Sequence, residues 1–345
     1  MNARKPLCGI KTTAATLAVS MALLMPCLAV AEDMEPVTVV TFNRAESDVA
    51  IKNVYDKFGL STFFHYRAPV AIDKQPVIRM NRDTLYSSAV LDLSKPAVVT
   101  MPEADGRYMS LHVINQDHYS FAKIKPGRYE LTQDVVGSRY AYLIVRTFID
   151  ANDPKDVAAA NTLQDKLKIE GGGTGTLDIP DWDMEQLLIA RGALNTLAKL
   201  GASNVGAFGK KEETDPINHL VFTAAGWGGL PLKHTFGKLG TVENNEGTPH
   251  VLTVKDAPVR AFWSVIVYNA DGFIPENSMG VYSYNNVTAK ANDDSSITIH
   301  FGGCEDGRKN CLPISEGWNY VIRMYEPEQE ILDGSWKFPA IKPVN

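Results

Sequence analysis

Short runs of β-branched and aromatic residues, broken by glycine-bearing turns, occupy both ends of this chain and leave room for helices only in its middle. Between residues 76 and about 149 the clearest runs are Ala97-Val98-Val99-Thr100, Tyr108-Met109-Ser110-Leu111-His112-Val113-Ile114 and Tyr140-Ala141-Tyr142-Leu143-Ile144-Val145-Arg146. Asp105-Gly106 and Pro126-Gly127 stand between them. Such side chains fit a pleated surface, and those dipeptides supply the backbone conformations of tight turns. The spacing predicts an antiparallel sandwich or jelly roll, because alternating βα units would need a helical pattern after each strand. The strand pattern returns after Gly237, in Arg260-Ala261-Phe262-Trp263-Ser264-Val265-Ile266-Val267-Tyr268, Ser296-Ile297-Thr298-Ile299-His300-Phe301 and Trp318-Asn319-Tyr320-Val321-Ile322-Arg323-Met324-Tyr325.

Residues 150–235 read differently. Asp153-Pro154 and Asp215-Pro216 each set a capping carboxylate before a proline at the first helical position. A further helix is predicted over residues 183–200, with Met184, Leu187, Leu188, Arg191, Leu194 and Leu197 on one face. Near the start of the chain, Ser47 and Asp48 are expected to cap a helix that Gly59 ends. The expected class is mainly β with an α insert.

With 345 residues, 45% of them hydrophobic, the chain can bury a sizeable core in two or three domains. Its first 31 residues stand apart. Arg4, Lys5 and Lys11 precede an apolar run over residues 14–25, and Ala29-Val30-Ala31 follows before Glu32. That layout predicts a signal peptide cleaved after Ala31 and a periplasmic or secreted product, since the run is short for a bilayer span. Losing three positive charges and no acids would take the formal net charge from −6 to −9. An acidic exported chain without basic runs is a poor match for nucleic acid, and no later segment reads as transmembrane. Cys304 and Cys311 flank a polar, Gly-rich loop and read as one disulfide in an oxidising compartment. Half a metal site is the alternative, although the loop holds no histidine.

Two polar motifs interrupt the strand pattern. In Asn81-Arg82-Asp83-Thr84-Leu85-Tyr86, an extended chain puts Asn81, Asp83 and Leu85 on one side and Arg82, Thr84 and Tyr86 on the other. Asp83 is a candidate general base, metal ligand or substrate acceptor and Arg82 a candidate anion holder; an internal hydrogen-bond network is the favoured alternative on these residues alone. In Asn115-Gln116-Asp117-His118-Tyr119, His118 is the best acid/base candidate, because an imidazole titrates near neutrality. A metal site from His112, His118 and a carboxylate stays open, as does a purely structural histidine. Ala225-Gly226-Trp227-Gly228-Gly229-Leu230-Pro231 lacks the Lys-Ser/Thr of a phosphate cradle, and no Gly-x-Ser-x-Gly elbow of an α/β-hydrolase occurs; the cofactor stays unknown.

The motifs carry a resemblance. Asn81-Arg82-Asp83-Thr84-Leu85-Tyr86-Ser87, Asp105-Gly106-Arg107-Tyr108 and Asn115-Gln116-Asp117-His118-Tyr119 resemble a bacterial family called domain of unknown function 1254. Phe262-Trp263-Ser264-Val265, Tyr268-Asn269-Ala270-Asp271-Gly272-Phe273, Trp318-Asn319-Tyr320 and Glu330-Ile331-Leu332-Asp333-Gly334-Ser335-Trp336 resemble domain of unknown function 1214. The resemblance implies two jelly-roll-like β-sandwiches separated by an all-α segment, and it implies no activity. The expected layout is a signal peptide over 1–31, an N-terminal sandwich over 32–149, a helical segment over 150–235 and a C-terminal sandwich over 236–345. A site for a small polar molecule is expected on the first sandwich, with His118, Asp83 and Arg82 as catalytic candidates. Asn81, Tyr86, Asn115 and Asp117 would bind the ligand, and Trp318 or Arg323 would close the site. The alternative is an envelope structural or interaction protein in which both motifs are internal networks.

Overall fold

In the computed structural model, which describes residues 34–201 and 204–344, alternating apolar positions build two separate sandwich cores. The expected signal peptide and its cleavage point lie outside the described residues.

The N-terminal elements are α1 (Phe42–Phe58), β1 (Phe64–His65), β2 (Thr84–Asp92), β3 (Ala97–Met101), β4 (Met109–Asn115), β5 (Ser120–Lys123), β6 (Gly127–Leu131), α2 (Gln133–Val136), β7 (Tyr140–Phe148), α3 (Pro154–Gln164) and β8 (Lys168–Gly171). A five-stranded sheet in the order β1-β2-β7-β4-β5 faces a three-stranded sheet in the order β6-β3-β8. Between them lie Ala89, Leu91, Val99, Leu111, Val113, Leu143 and Val145. β8 falls inside the segment expected to be helical, yet it pairs with β3. Its Lys-Ile-Glu-Gly sequence is too short and polar to announce a strand.

Next come α4 (Met184–Ala198) and α5 (Pro216–Ala225). As expected, the carboxylates of Asp153, Asp183 and Asp215 accept backbone N–H groups at the starts of α3, α4 and α5. On α4 only Leu187 and Leu194 of the expected apolar face are buried, while Leu188 and Leu197 stay 57% and 50% exposed. Among the described residues α4 packs mainly against α5 and α1, so the covered stripe is narrow. α1 begins at Phe42, and Ser47 and Asp48 do not cap it but are buried within it. The Asp48 carboxylate accepts from Gln116 Nε2 at 2.8 Å and Trp182 Nε1 at 3.1 Å, and Ser47 Oγ accepts from Trp227 Nε1 at 3.2 Å. Those inward partners replace the capping role. Gly59, at φ 74°, ends the helix as its lack of a Cβ allows.

The C-terminal elements are β9 (Thr235–Thr241), β10 (His250–Val254), β11 (Val259–Tyr268), β12 (Ser283–Asn285), β13 (Ile297–Phe301), β14 (Cys311–Leu312), β15 (Asn319–Pro327), α6 (Gln329–Leu332) and β16 (Lys342–Pro343). Sheets ordered β14-β13-β10-β16 and β12-β11-β15-β9 enclose a core that includes Trp263, Val265, Ile299, Phe301, Trp318, Ile322 and Met324. The fold is thus mainly β with a helical insert. Among the described residues no helix is long and apolar enough to cross a membrane.

Cys304 and Cys311 are joined by a disulfide across a sequence separation of 7. A closed loop this short restricts the unfolded chain modestly. A Cys304→Ser/Cys311→Ser variant is therefore expected to lose about 2–3 kcal/mol in chemical denaturation. A loss under about 0.5 kcal/mol would mean that the loop holds its shape without the bond.

Candidate functional site

β2, β7 and β4 turn one face to the sandwich core and the other outward, as strand alternation requires. The register stacks the outward face in rows: Thr84 beside Phe148, Tyr86 beside Arg146 and then Ser110, and Ser88 beside Ile144 and then His112. β15 and β11 alternate likewise. Trp318, Tyr320, Ile322 and Met324 enter the C-terminal core, while Arg323 and Tyr325, paired with Ser264 and Phe262, leave it for the N-terminal sheet. Between these outward faces, under residues 66–80 and against residues 226–230, lies a cavity of about 590 Å³.

Its polar end is organised by Asn81. The Asn81 amide nitrogen donates toward Tyr86 Oη at 3.1 Å, Tyr325 Oη at 3.1 Å and Thr84 Oγ1 at 3.2 Å. The phenol hydrogens of Tyr86 and Tyr325 are not spent on Asn81, which donates to both. Asn81 joins Thr84 and Tyr86, contrary to the alternation expected for an extended chain. The strand begins only at Thr84, and Asn81 Oδ1 accepts the Asp83 N–H at 3.0 Å, which folds the chain just before it. Arg82 consequently points away: Nη1 donates to Val70 O at 2.8 Å, and the guanidinium lies 5.0 Å from the Tyr282 ring centroid.

Three further arginines line the cavity: Arg79, Arg146 and Arg323. Arg146 donates to Gly228 O at 2.8 Å and approaches His112 Nδ1 at 3.4 Å, with its guanidinium 5.5 Å from the Tyr86 ring. Arg323 donates to Arg79 O at 2.8 Å and to Tyr268 Oη at 3.1 Å, and Tyr268 in turn donates to Met80 O at 2.8 Å. Among the described residues none of the three forms an ion pair. Asp83 lies behind the cavity wall, its Oδ2 accepting from Ser264 Oγ at 2.5 Å while Oδ1 has no partner. Burial raises the Asp83 carboxyl, and the Arg323 charge and Ser264 hydroxyl offset part of that.

These surroundings drive the two phenols apart. Burial would raise Tyr86, but the Arg146 charge and the Asn81 and Thr84 hydrogen bonds outweigh it and set its pKa below the usual tyrosine value. Burial and the neighbouring Asp83 carboxylate push Tyr325 well above that value. Two hydroxyls held together with opposed proton affinities can serve as an acid–base pair.

The Asn115–Tyr119 motif forms no part of this cavity. Asn115 Oδ1 accepts the N–H groups of Asp117 and Tyr119, both at 2.9 Å, and its amide donates to Val136 O at 3.1 Å. Asp117 pairs with Arg44 at 2.7 Å on the surface. His118 is 2% exposed, with its ring between Trp227 and His219, each 5.5 Å away. Its Nδ1 shares a hydrogen bond with Thr223 Oγ1 at 2.8 Å and its Nε2 accepts the Gly228 N–H at 2.9 Å. Burial, then the neighbouring His219, lowers its pKa to about 3. The ring is therefore neutral near pH 7 and serves as a strut beneath the glycine loop. Gly228 itself has φ 77°, and a Cβ there would lie 3.2 Å from Ile144 Cδ1, so glycine is needed where the loop meets the sheet. Among the described residues no group of three or more His, Cys, Asp or Glu side chains is arranged to hold a metal ion. Trp318, expected as a closing residue, is in the C-terminal core.

Of the residues singled out from sequence, the cavity brings together Asn81, Tyr86 and Arg323, with Asp83 behind them. Tyr325, Arg146, Arg79 and Thr84 were not singled out. For Arg146 a signal existed: a cation inside an otherwise apolar strand whose two faces are both covered.

Residues 60–171 match the family model described as protein of unknown function DUF1254, and residues 238–329 match protein of unknown function DUF1214. The chain is thus a two-sandwich protein that carries a DUF1254 region followed by a DUF1214 region. The Glu330–Trp336 motif lies just beyond the second match. No curated protein matches the sequence. Among solved structures, the chain is similar to the VPA0106 protein from Vibrio parahaemolyticus, with a TM-score of 0.67 and 21% identity over 88% of this chain and 98% of that one. A putative uncharacterized protein from Burkholderia cenocepacia aligns at a TM-score of 0.46 and 14% identity, over 88% of this chain and 86% of that one. The first likeness shows the fold.

Proposed function

We propose that this is an exported protein that binds a small organic anion in the cavity between its sandwiches, where Tyr86 and Tyr325 can exchange protons with it. The observation that carries this reading is the set of cavity-lining guanidiniums, Arg79, Arg146 and Arg323, without an ion-pair partner among the described residues. Cations removed from bulk water are costly unless a counter-charge meets them. Among the described residues the carboxylate that acts on Arg323 is Asp83, which is buried behind the wall. An incoming carboxylate or other oxyanion would find planar donors in Arg146 and Arg323 and hydroxyl donors in the two tyrosines. In this reading acid–base chemistry belongs to Tyr86 and Tyr325 rather than to His118. Export rests on the basic start, the apolar run and Ala29-Val30-Ala31, together with a disulfide that suits an oxidising compartment.

A non-catalytic envelope role has one observation in its favour: the hydrogen bonds of Asn115 close upon its own turn and α2. That motif is read here as structural and the Asn81–Tyr86 motif as functional.

The test is a thermal-shift screen of small carboxylates and phosphates against their neutral amides and alcohols at constant ionic strength. At least one anion should raise the melting temperature; a ligand at a hundred times its dissociation constant adds about 2.7 kcal/mol. Arg146→Met and Arg323→Met should each remove the shift. Equal shifts from neutral analogues, or shifts that survive both substitutions, would reject the anion site.

A further inference from the structure

We propose that the anion is a monocarboxylate with an extended apolar body, bound lengthwise along β2 and β7 with its carboxylate at Arg146 and Arg323. This rests on the anion-binding reading above and goes beyond it by naming the ligand's other end. The rows of the cavity floor are ordered by polarity. Along the two strands the register runs from Tyr86 beside Arg146, through Ser88 beside Ile144, to Val90 beside Tyr142. All but Val90 line the cavity. The floor is therefore charged and hydroxylated at one end and apolar to aromatic at the other. Four residues of strand separate the Arg146 row from the Tyr142 row, roughly 13 Å.

The remaining lining agrees with that gradient. Trp227 meets the Tyr142 ring edge-on at 4.9 Å, and Leu230, Val70 and Val77 add aliphatic surface. Tyr66 and Val77 are 52% and 57% exposed, so apolar surface continues toward solvent beside the cavity. None of these groups offers a second cation to a second anionic end. A dianion laid along the floor would leave its far charge against apolar wall, a costly placement, and one compact enough to keep both charges at Arg79, Arg146 and Arg323 would leave the Tyr142–Trp227 end unfilled. A bare small anion would leave the Tyr142–Trp227 end filled by water alone. A single carboxylate with a body of this length satisfies both ends.

Isothermal titration of the purified protein with acetate, octanoate and 1-octanol separates the two claims. Each methylene withdrawn from water is worth a factor of about four, so octanoate should bind at least about a hundredfold tighter than acetate. Octanoate should also bind at least about tenfold tighter than octanol, an advantage that Arg146→Met should remove while leaving octanol binding in place. Val77 lines the cavity and is 57% exposed, so Val77→Asn should keep the fold and weaken octanoate several-fold, more than it weakens acetate. If acetate and octanoate bind alike, the apolar body is wrong and the anion site stands. If octanol matches octanoate, the anion reading falls and the carboxylate proposal falls with it. No binding by any of the three overturns the proposal outright.

Discussion

Replacing Trp318 with alanine should lower stability by about 3–5 kcal/mol. Trp318 is 0% exposed in the C-terminal core. It stacks on Phe301 at 5.2 Å and meets the His250 ring edge-on at 5.5 Å. Truncation leaves a void the size of an indole between two sheets whose neighbours are pinned by ladder hydrogen bonds, so little of it can collapse. Urea unfolding should show an earlier midpoint with an unchanged slope, and the folded fraction should keep its anion binding. Trp318→Phe, which keeps most of the ring contacts, should cost clearly less and guards against a variant that does not fold. A Trp318→Ala protein of near-native stability that no longer binds anions would return this residue to the site and reject its assignment to the core.

Mild acid should destabilise the protein through His118. The folded ring titrates at about 3, against about 6.5 for an exposed imidazole. Within that interval the unfolded chain binds a proton at His118 that the folded protein refuses. Stability present above pH 6.5 is therefore lost as the pH falls toward 3, by up to about 1.4 kcal/mol per pH unit. His112, lowered by burial and then by Arg146, acts in the same direction. The buried carboxyls of Asp48 and Asp83 act oppositely, because burial raises them and the folded protein then holds their protons more tightly. A variant that alters His118 alone keeps both carboxyls, so the difference between its pH profile and the native one, taken between about pH 7.5 and 5.5, isolates this ring. His118→Asn is a suitable comparison, since asparagine tolerates the left-handed backbone at φ 67°. Across that window the native protein should lose about 1–1.5 kcal/mol more than the variant, measured by denaturant titration. Parallel pH profiles would show that the ring is not held neutral by its burial.

The strands and helices announce themselves through local physics. β-Branched runs, Asp-Gly and Pro-Gly turns and the Asp-Pro helix starts act within a few residues of one another. The site depends on what local patterns do not carry. Asn81 reaches Tyr325 across 244 residues of sequence, and Ser264 reaches Asp83 across 181. Periodicity states that Trp318 and Arg323 lie on opposite faces of one strand, but not which face meets the other sandwich. The Asn81 side chain defeated the alternation rule because its own hydrogen bond to the Asp83 N–H ends the extended conformation. Ser47 and Asp48 have the chemistry of caps, and only their partners Trp227, Trp182 and Gln116, distant in sequence, show why they sit inside the helix. Arg146 stands out as a cation in an apolar strand, but only the register places it beside Tyr86, and only a side-chain hydrogen bond brings Tyr325 to Asn81.

β15 and the residue just before it serve two interiors at once, sending Trp318, Tyr320, Ile322 and Met324 to the C-terminal core and Arg323 and Tyr325 to the cavity. Because side chains alternate strictly, inserting or deleting a single residue there would exchange the two sets, presenting indole and thioether to the ligand and guanidinium to the core. Most substitutions along this strand can be tested for graded effects, but a change of its length cannot be graded. The nine residues Asn319–Pro327 should therefore behave as a fixed ruler, where evolution can swap letters and cannot add or drop one.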